Sequence, residues 1–181
     1  MKVFRVLILA VVTVLVVAVL VLMLLGRRDG AGTVRANIEI NRPAAEVWPW
    51  VIEPEKLKSW VSGMQEIEHL TPGEPRVGSR GRAVVVDPKQ PNVRFNVESE
   101  INAIQPPSAL TITLHAPEGF HGVVHYQLEG SGGSTRLTSR GEFKFERWFA
   151  KLMEPVITSS AQKKLESDLR ILKSKAEAAQ P

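Results

Sequence analysis

Cysteine is absent from this 181-residue sequence. Its absence excludes disulfide bonds, thiolate metal sites, cysteine nucleophiles and a lipid-modified cysteine. The sequence also lacks a Gly-x-Ser-x-Gly nucleophile motif. Residues 130–134 are rich in glycine and serine, but no lysine or predicted helix follows directly, so they predict a hairpin turn rather than a phosphate-binding loop.

No basic stripe of the kind that binds nucleic acid is present. The formal net charge is +4, but four of the basic residues flank an apolar run near the N-terminus: Lys2, Arg5, Arg27 and Arg28. The remaining chain is close to neutral, and its charges alternate in sign. We therefore predict no nucleic-acid partner.

The apolar run covers residues 6–25 and contains no charge and one polar residue, Thr13. A bilayer core needs about 20 such residues, whereas a cleaved signal has an apolar region of about 7 to 15 residues followed by small residues. Residues 1–5 are thus predicted to be a short tail and residues 6–25 a transmembrane helix that anchors the chain in the bilayer. A signal sequence is the alternative.

The orientation of this predicted single-pass anchor does not follow from charge, because two basic residues lie on each side of it. A very short basic tail before a long apolar run is typical of an uncleaved signal. It favours a cell-membrane protein with its N-terminus in the cytoplasm and its domain outside.

Glycine-rich residues 26–33 predict a flexible linker, so the folded domain is expected to span 34–181. Period-two alternation predicts a first strand over 34–40. Pro43 and Pro54 each begin a short predicted helix, since proline is favoured in the first turn. Pro49 predicts that the first of these helices is kinked or ends early.

Turn residues separate the alternating segments that follow, as in an antiparallel meander. These segments predict six more strands, over 64–70, 78–86, 93–104, 110–115, 120–128 and 135–145. Apolar residues at three- and four-residue steps over 149–179 predict a long amphipathic helix that lies across the sheet. The predicted fold class is therefore α+β, with a curved antiparallel sheet of roughly seven strands, two short helices and a long C-terminal helix.

Four segments carry a resemblance to a known family: IEINRPAAEVW (38–48), PEKLKSW (54–60), VGSR (77–80) and KLESDLRILK (164–173). With the order of the elements, they make the sequence similar to the START-like, SRPBCC or Bet v 1-like superfamily, in particular its polyketide cyclase/dehydrase group. The resemblance implies the helix-grip fold, with a cavity between sheet and helix that in many members holds a lipid, sterol, polyketide or other hydrophobic molecule.

The residue pattern allows such a cavity, because Ser99, Gly122, Ser139 and Gly141 leave volume on the apolar face of the sheet. Periodicity predicts the residues that face one enclosed space: Trp60, Phe95, Val97, Ile112, Leu114, Val124, Tyr126, Phe143, Met153, Val156 and Ile157. Trp60 is expected to close the open end of the sheet. The alternative is a solid core in which these side chains pack on each other.

No catalytic constellation is identifiable. His121 and His125 lie four residues apart on a strand, about 13 Å from each other, which is too far for one ion. The charged residues of the strands are expected to form solvated cross-strand pairs. We therefore predict no metal site and no cofactor.

The primary functional hypothesis is a membrane-anchored protein that binds a hydrophobic small molecule or lipid. One alternative is a polyketide cyclase/dehydrase-like enzyme in which buried Tyr126 or a histidine moves a proton. Another is an interaction scaffold at the membrane that binds no ligand.

Overall fold

The computed structural model of the protein describes residues 10–17, 19–21, 30–87, 90–117 and 119–179. Residues 10–17 and 19–21 are helical. Within the described ranges, no helix combines the length and the apolar character needed to cross a bilayer. The predicted span over 6–25 lies partly outside these ranges, and the tail over 1–5 lies wholly outside them.

The domain contains seven strands and three helices in the described part of the chain. The strands are β1 (Ala31–Ile40), β2 (Met64–His69), β3 (Arg80–Asp87), β4 (Gln90–Gln105), β5 (Ala109–Ala116), β6 (Phe120–Ser131) and β7 (Ser134–Phe145). The helices are α1 (Ala44–Ile52), α2 (Pro54–Trp60) and α3 (Trp148–Ala178). All seven strands form one antiparallel sheet in the order β1-β7-β6-β5-β4-β3-β2. The predicted meander and the C-terminal helix are confirmed.

β1 begins at Ala31, inside the segment predicted to be linker. Gly32 pairs with Phe143 of β7, and α3 lies directly against its backbone. A Cβ atom at this position would lie 2.2 Å from Oγ1 of Thr158. This glycine therefore permits α3 to pack closely on β1. Glycine content alone did not distinguish this role from that of a flexible linker.

α1 continues past Pro49 and ends at Ile52. Of the two predicted effects of this proline, the early end is wrong and the kink stays a prediction. Proline removes one backbone hydrogen bond from a helix. The loss falls at one position, and the side chains of Val47 and Val51 on the same helix are fully buried. Tertiary packing of this apolar side maintains the helix.

α3 packs mainly along β1, an edge strand of the sheet, whereas it was predicted to lie across the sheet. Its polar side chains bind the backbone of that edge. Gln162 accepts a hydrogen bond from the Arg35 N–H (3.0 Å) and donates one to the Arg35 carbonyl (2.9 Å). Lys173 donates to the carbonyl of Glu39, and Glu177 accepts from the N–H of Asn41. The helix thus covers an edge that could otherwise pair with another chain.

The main hydrophobic core lies between α1, α2, the C-terminal half of α3 and the end of the sheet where β1 finishes. Its buried members are Ala36, Ile40, Val47, Val51, Trp60, Leu128, Leu137, Leu169, Leu172 and Ala176. We call this end of the strands the Ile40 edge. The opposite end of the strands, where β1 begins next to the start of α3, is called the Gly30 edge. Both names refer to ends of the strands and not to the edge strands β1 and β2.

Candidate functional site

One face of the sheet carries its apolar side chains and faces α3. Residues paired across an antiparallel ladder point to the same face, as do residues two apart along a strand. A chain of cross-strand pairs defines this face: Gly32 with Phe143, Phe143 with Gly122, Gly122 with Leu114, and Leu114 with Ser99. Because α3 lies along β1, the part of this face on β3, β4 and β5 lies away from the helix and is only half-buried at Val97, Ile112 and Leu114. We call this part of the face the trough.

The trough is closed at the Ile40 edge, and its exposed part lies on β4 near the Gly30 edge, where Ala116 of β5 and Phe145 of β7 are themselves buried. Near the Ile40 edge, Leu110 and Leu137 are fully buried. On β4 near the Gly30 edge, Val93 and Phe95 are 36% and 37% exposed. An apolar surface that is walled at one end and uncovered at the other can accept an apolar molecule from one side.

Phe143 occupies space that was expected to be empty. A Cβ atom added to Gly141 would lie 2.6 Å from Cζ of Phe143, and one added to Gly122 would lie 3.0 Å from its Cδ1. The Phe143 ring therefore covers both glycines. A ligand on this face would therefore have to lie further along the sheet, over β3, β4 and β5.

A polar cluster lies at the closed end of the trough, on β6, β7 and α3. The carboxylate of Asp168 is buried, accepts a hydrogen bond from the backbone N–H of Ser62 at 3.2 Å, and lies 2.5 Å from Nζ of Lys164. Lys164 and Asp168 are four residues apart on α3, which places them on adjacent turns. The charge of this carboxylate is thus compensated within the fold, as burial requires.

Tyr126 is the second member of this cluster and lies opposite Ser139 in the β6–β7 register. Burial of the phenol raises its pKa to about 12, and the negative charge of Asp168 contributes to the increase. A side-chain hydrogen bond with Ser139 acts in the opposite direction. The Tyr126 hydroxyl is protonated at physiological pH, as an ordinary phenol is, and its raised pKa extends this neutral form to more alkaline solution.

The structure places most of the predicted lining residues on the trough face. The register brings together the seven strand residues of the prediction: Phe95, Val97, Ile112, Leu114, Val124, Tyr126 and Phe143. Met153 and Ile157 are half-buried, and Ile157 continues at helical steps into the buried stripe of Leu169 and Leu172. That these residues contact a ligand stays a prediction.

One predicted lining residue is elsewhere: Val156 is 58% exposed and shares the solvent-facing side of α3 with Ser159 and Lys163. Trp60 is buried in the main core, and its Nε1 donates a hydrogen bond to the carbonyl of Trp50 at 2.7 Å. That Trp60 closes the open end of the sheet stays a prediction.

Sequence reasoning missed Asp168 and Lys164 as site residues. The signal was present, because Asp168 lies between Leu165 and Leu172 on the apolar stripe of the predicted helix. A carboxylate on a buried stripe, with a lysine one turn before it, indicates a buried ion pair.

In the sequence, His121 was considered together with His125, but these two histidines contact different partners. His121 lies directly across from His115, with their Nδ1 atoms 3.0 Å apart, and its Nε2 lies 3.0 Å from a carboxylate oxygen of Glu146. His125 contacts the hydroxyl of Thr111 instead. Across the described ranges, no three histidine or carboxylate side chains form a group that could hold a metal ion.

A groove of about 390 Å³ also lies outside the trough, between β1 and α3. Its walls include the charged side chains of Arg35, Glu166 and Arg170. These walls do not match the mostly apolar lining of small-molecule sites. We therefore assign the candidate site to the trough.

A curved seven-stranded antiparallel sheet with a long C-terminal helix is the helix-grip architecture. The sequence model of one family, described as "Polyketide cyclase / dehydrase and lipid transport", matches residues 31–177. The chain belongs to this family. No curated protein matches it.

Solved structures show the same fold at low sequence identity. Protein CV1439 from Chromobacterium violaceum is 13% identical, with a TM-score of 0.66 over 82% of this chain and 99% of that one. TTHA0849 from Thermus thermophilus is 22% identical, with a TM-score of 0.65 and the same two coverages. DynU16, from the dynemicin biosynthetic locus, is 17% identical with a TM-score of 0.60 over 83% of this chain and 49% of its own.

Proposed function

We propose that the chain is a membrane-anchored protein that binds a hydrophobic small molecule or lipid in the trough. The open apolar face over β3, β4 and β5 carries this proposal, since Val93 and Phe95 on this face remain exposed. The family description, which includes lipid transport, agrees with it.

The polar cluster supports a ligand with one polar group. A bound molecule whose apolar part lies along β4 and β5 would place its polar end near Tyr126. The phenol there stays neutral below its raised pKa of about 12. A neutral donor suits a hydroxyl or carbonyl oxygen, which it binds without the cost of burying another charge.

The anchor is the second part of the proposal and rests on the uncharged run over 6–25. We place the N-terminus in the cytoplasm and the domain on the outer side of the cell membrane, as a short basic tail favours. The anchor would hold the trough close to its source of lipid.

Val97→Trp tests the binding site. Val97 lies on the trough face and is half-buried, whereas its neighbour Asn96 lies on the opposite face and is exposed. Native mass spectrometry of the full chain, released from detergent, should detect co-purified lipid on the wild type and on Asn96→Trp. Val97→Trp should lose it. Apo protein in all three samples would reject the binding function.

An enzymatic role is the second candidate, favoured by the coupling of Tyr126 to Asp168 across the site. Two titratable groups near one pocket are a recurrent feature of acid-base catalysis. The raised pKa makes Tyr126 a weak proton donor, and Asp168 is already engaged by Lys164 and Ser62. We therefore rank binding first. Conversion of a poly-β-ketone probe by the wild type, with its loss in Tyr126→Phe, would reverse this order.

A further inference from the structure

We propose that the Gly30 edge docks on the surface of an anionic bilayer through Trp148 and Phe149, so that the trough opens towards the membrane. This inference rests on the proposed function, because it needs both the anchor and a ligand that partitions into lipid. It adds the surface that contacts the bilayer and the direction from which the ligand enters.

The first turn of α3 exposes two aromatic side chains. Trp148 is 77% exposed and Phe149 is 59% exposed, and their rings meet edge to face with centroids 5.9 Å apart. Exposed Val156 lies two helical turns beyond Phe149 on the same side of α3. Single exposed apolar residues are ordinary, but an adjoining tryptophan and phenylalanine indicate a contact surface. Tryptophan in particular favours the interface between lipid and water.

The chain reaches the domain beside this aromatic pair. Gly30 lies against the first turns of α3, since a Cβ atom there would be 2.7 Å from Cγ of Lys151. Leu25, the last residue of the apolar run, is five residues earlier in the sequence. Five residues of fully extended chain span at most about 18 Å. An anchored chain therefore holds the Gly30 edge close to the bilayer surface.

Two basic side chains lie next to the aromatic pair. Arg147 immediately precedes Trp148 and is exposed, and Lys151 lies one turn further on. Two carboxylates near this pair keep their negative charge: Glu146 lies 3.0 Å from His121, and Glu154 accepts a hydrogen bond from Thr158 at 2.8 Å. Arg147 and Lys151 can therefore pair individually with headgroup phosphates, but they do not form a net positive surface. Basic residues close to a bilayer are attracted by anionic lipids.

The open part of the trough reaches the same edge. β4 begins and β3 ends there, and Val93 and Phe95 lie in the first part of β4. The Ile40 edge, at the other end, is filled by the main core. A lipid entering at the Gly30 edge would pass from bilayer to trough with little exposure of its chain to water, which is the costly step of lipid transfer.

Tryptophan quenching in nanodiscs tests this arrangement with the full chain. The chain has four tryptophans, of which Trp60 is buried and Trp48 and Trp50 are half-buried. We expect brominated anionic lipids to quench wild-type fluorescence and Trp148→Phe to lose most of that quenching. Replacing both Arg147 and Lys151 by glutamine should weaken the quenching on anionic lipid and leave it unchanged on zwitterionic lipid.

Two negative results have different meanings. A chain that incorporates into nanodiscs but shows equal quenching in the wild type and in Trp148→Phe overturns the docking proposal alone. A chain that does not incorporate overturns the anchor, and the docking proposal with it. Lipid carried by the purified chain in native mass spectrometry reports separately on the binding function.

Discussion

Tyr126 on β6 and Asp168 on α3 are electrostatically coupled across the closed end of the trough. The carboxylate contributes to the raised pKa of the phenol, although burial contributes more. Replacing Asp168 by asparagine should therefore lower the Tyr126 pKa from about 12 while leaving it above its ordinary value.

This shift is directly measurable because Tyr126 is the only tyrosine of the chain. Ultraviolet absorbance of the tyrosinate, followed during alkaline titration, reports on this residue alone. An unchanged midpoint in Asp168→Asn would contradict the coupling.

The same pKa predicts how stability depends on alkaline pH. The folded-state pKa is raised above the unfolded value of 10.0, so the folded state binds more protons in this window. The contribution of Tyr126 is fully present below pH 10 and is lost as the pH rises towards 12. We expect a loss of about 1 to 2 kcal/mol in the free energy of unfolding across this window.

Urea denaturation of the wild type and of Tyr126→Phe separates this effect from the titration of lysines, which both proteins share. The wild type should lose more stability than Tyr126→Phe between the two pH values. Parallel profiles would show that the phenol is not buried as described.

The two halves of α3 should differ in their contribution to stability. Leu172 is fully buried in the main core, whereas Val156 is 58% exposed. Leu172→Ala should lower the free energy of unfolding by about 2 to 5 kcal/mol. Val156→Ala should change it by less than about 0.5 kcal/mol. Chemical denaturation measures both, and a large cost for Val156→Ala would indicate that this side of the helix is covered.

Gln162 should protect the edge of the sheet from self-association. Its side chain binds both the N–H and the carbonyl of Arg35. Gln162→Leu frees both groups on an edge strand, so we expect concentration-dependent oligomers. Lys163→Leu adds the same apolar side chain at an exposed neighbouring position. Analytical ultracentrifugation should show self-association in Gln162→Leu and not in Lys163→Leu. Equal self-association of the two variants would mean that the added apolar side chain, and not the freed strand edge, is its cause.

The sequence was sufficient to predict which face the strand residues of the candidate site occupy. Period-two alternation is local, so Val97, Ile112 and Val124 could be placed on one face before their strands were paired. The contact between His115 and His121 was not predicted, because it depends on the register across the β5–β6 turn.

Local sequence patterns also could not predict the path of α3 over the sheet. It is determined by hydrogen bonds from Gln162, Lys173 and Glu177 to the β1 edge, between residues far apart in the sequence. A helix along the edge leaves the trough open, whereas a helix across the sheet would have enclosed it. The apolar periodicity of α3 is compatible with both paths, so Val156 was assigned to the wrong side.

Photo-crosslinking from the trough is the most direct test of ligand binding. A photoreactive side chain at position 97 points into the trough, and one at position 96 points to the opposite face. After irradiation of the full chain in native membranes, mass spectrometry should detect a lipid-sized adduct on the protein labelled at 97 and none on the protein labelled at 96. Equal labelling from both positions, or none from position 97, would contradict a hydrophobic ligand in the trough.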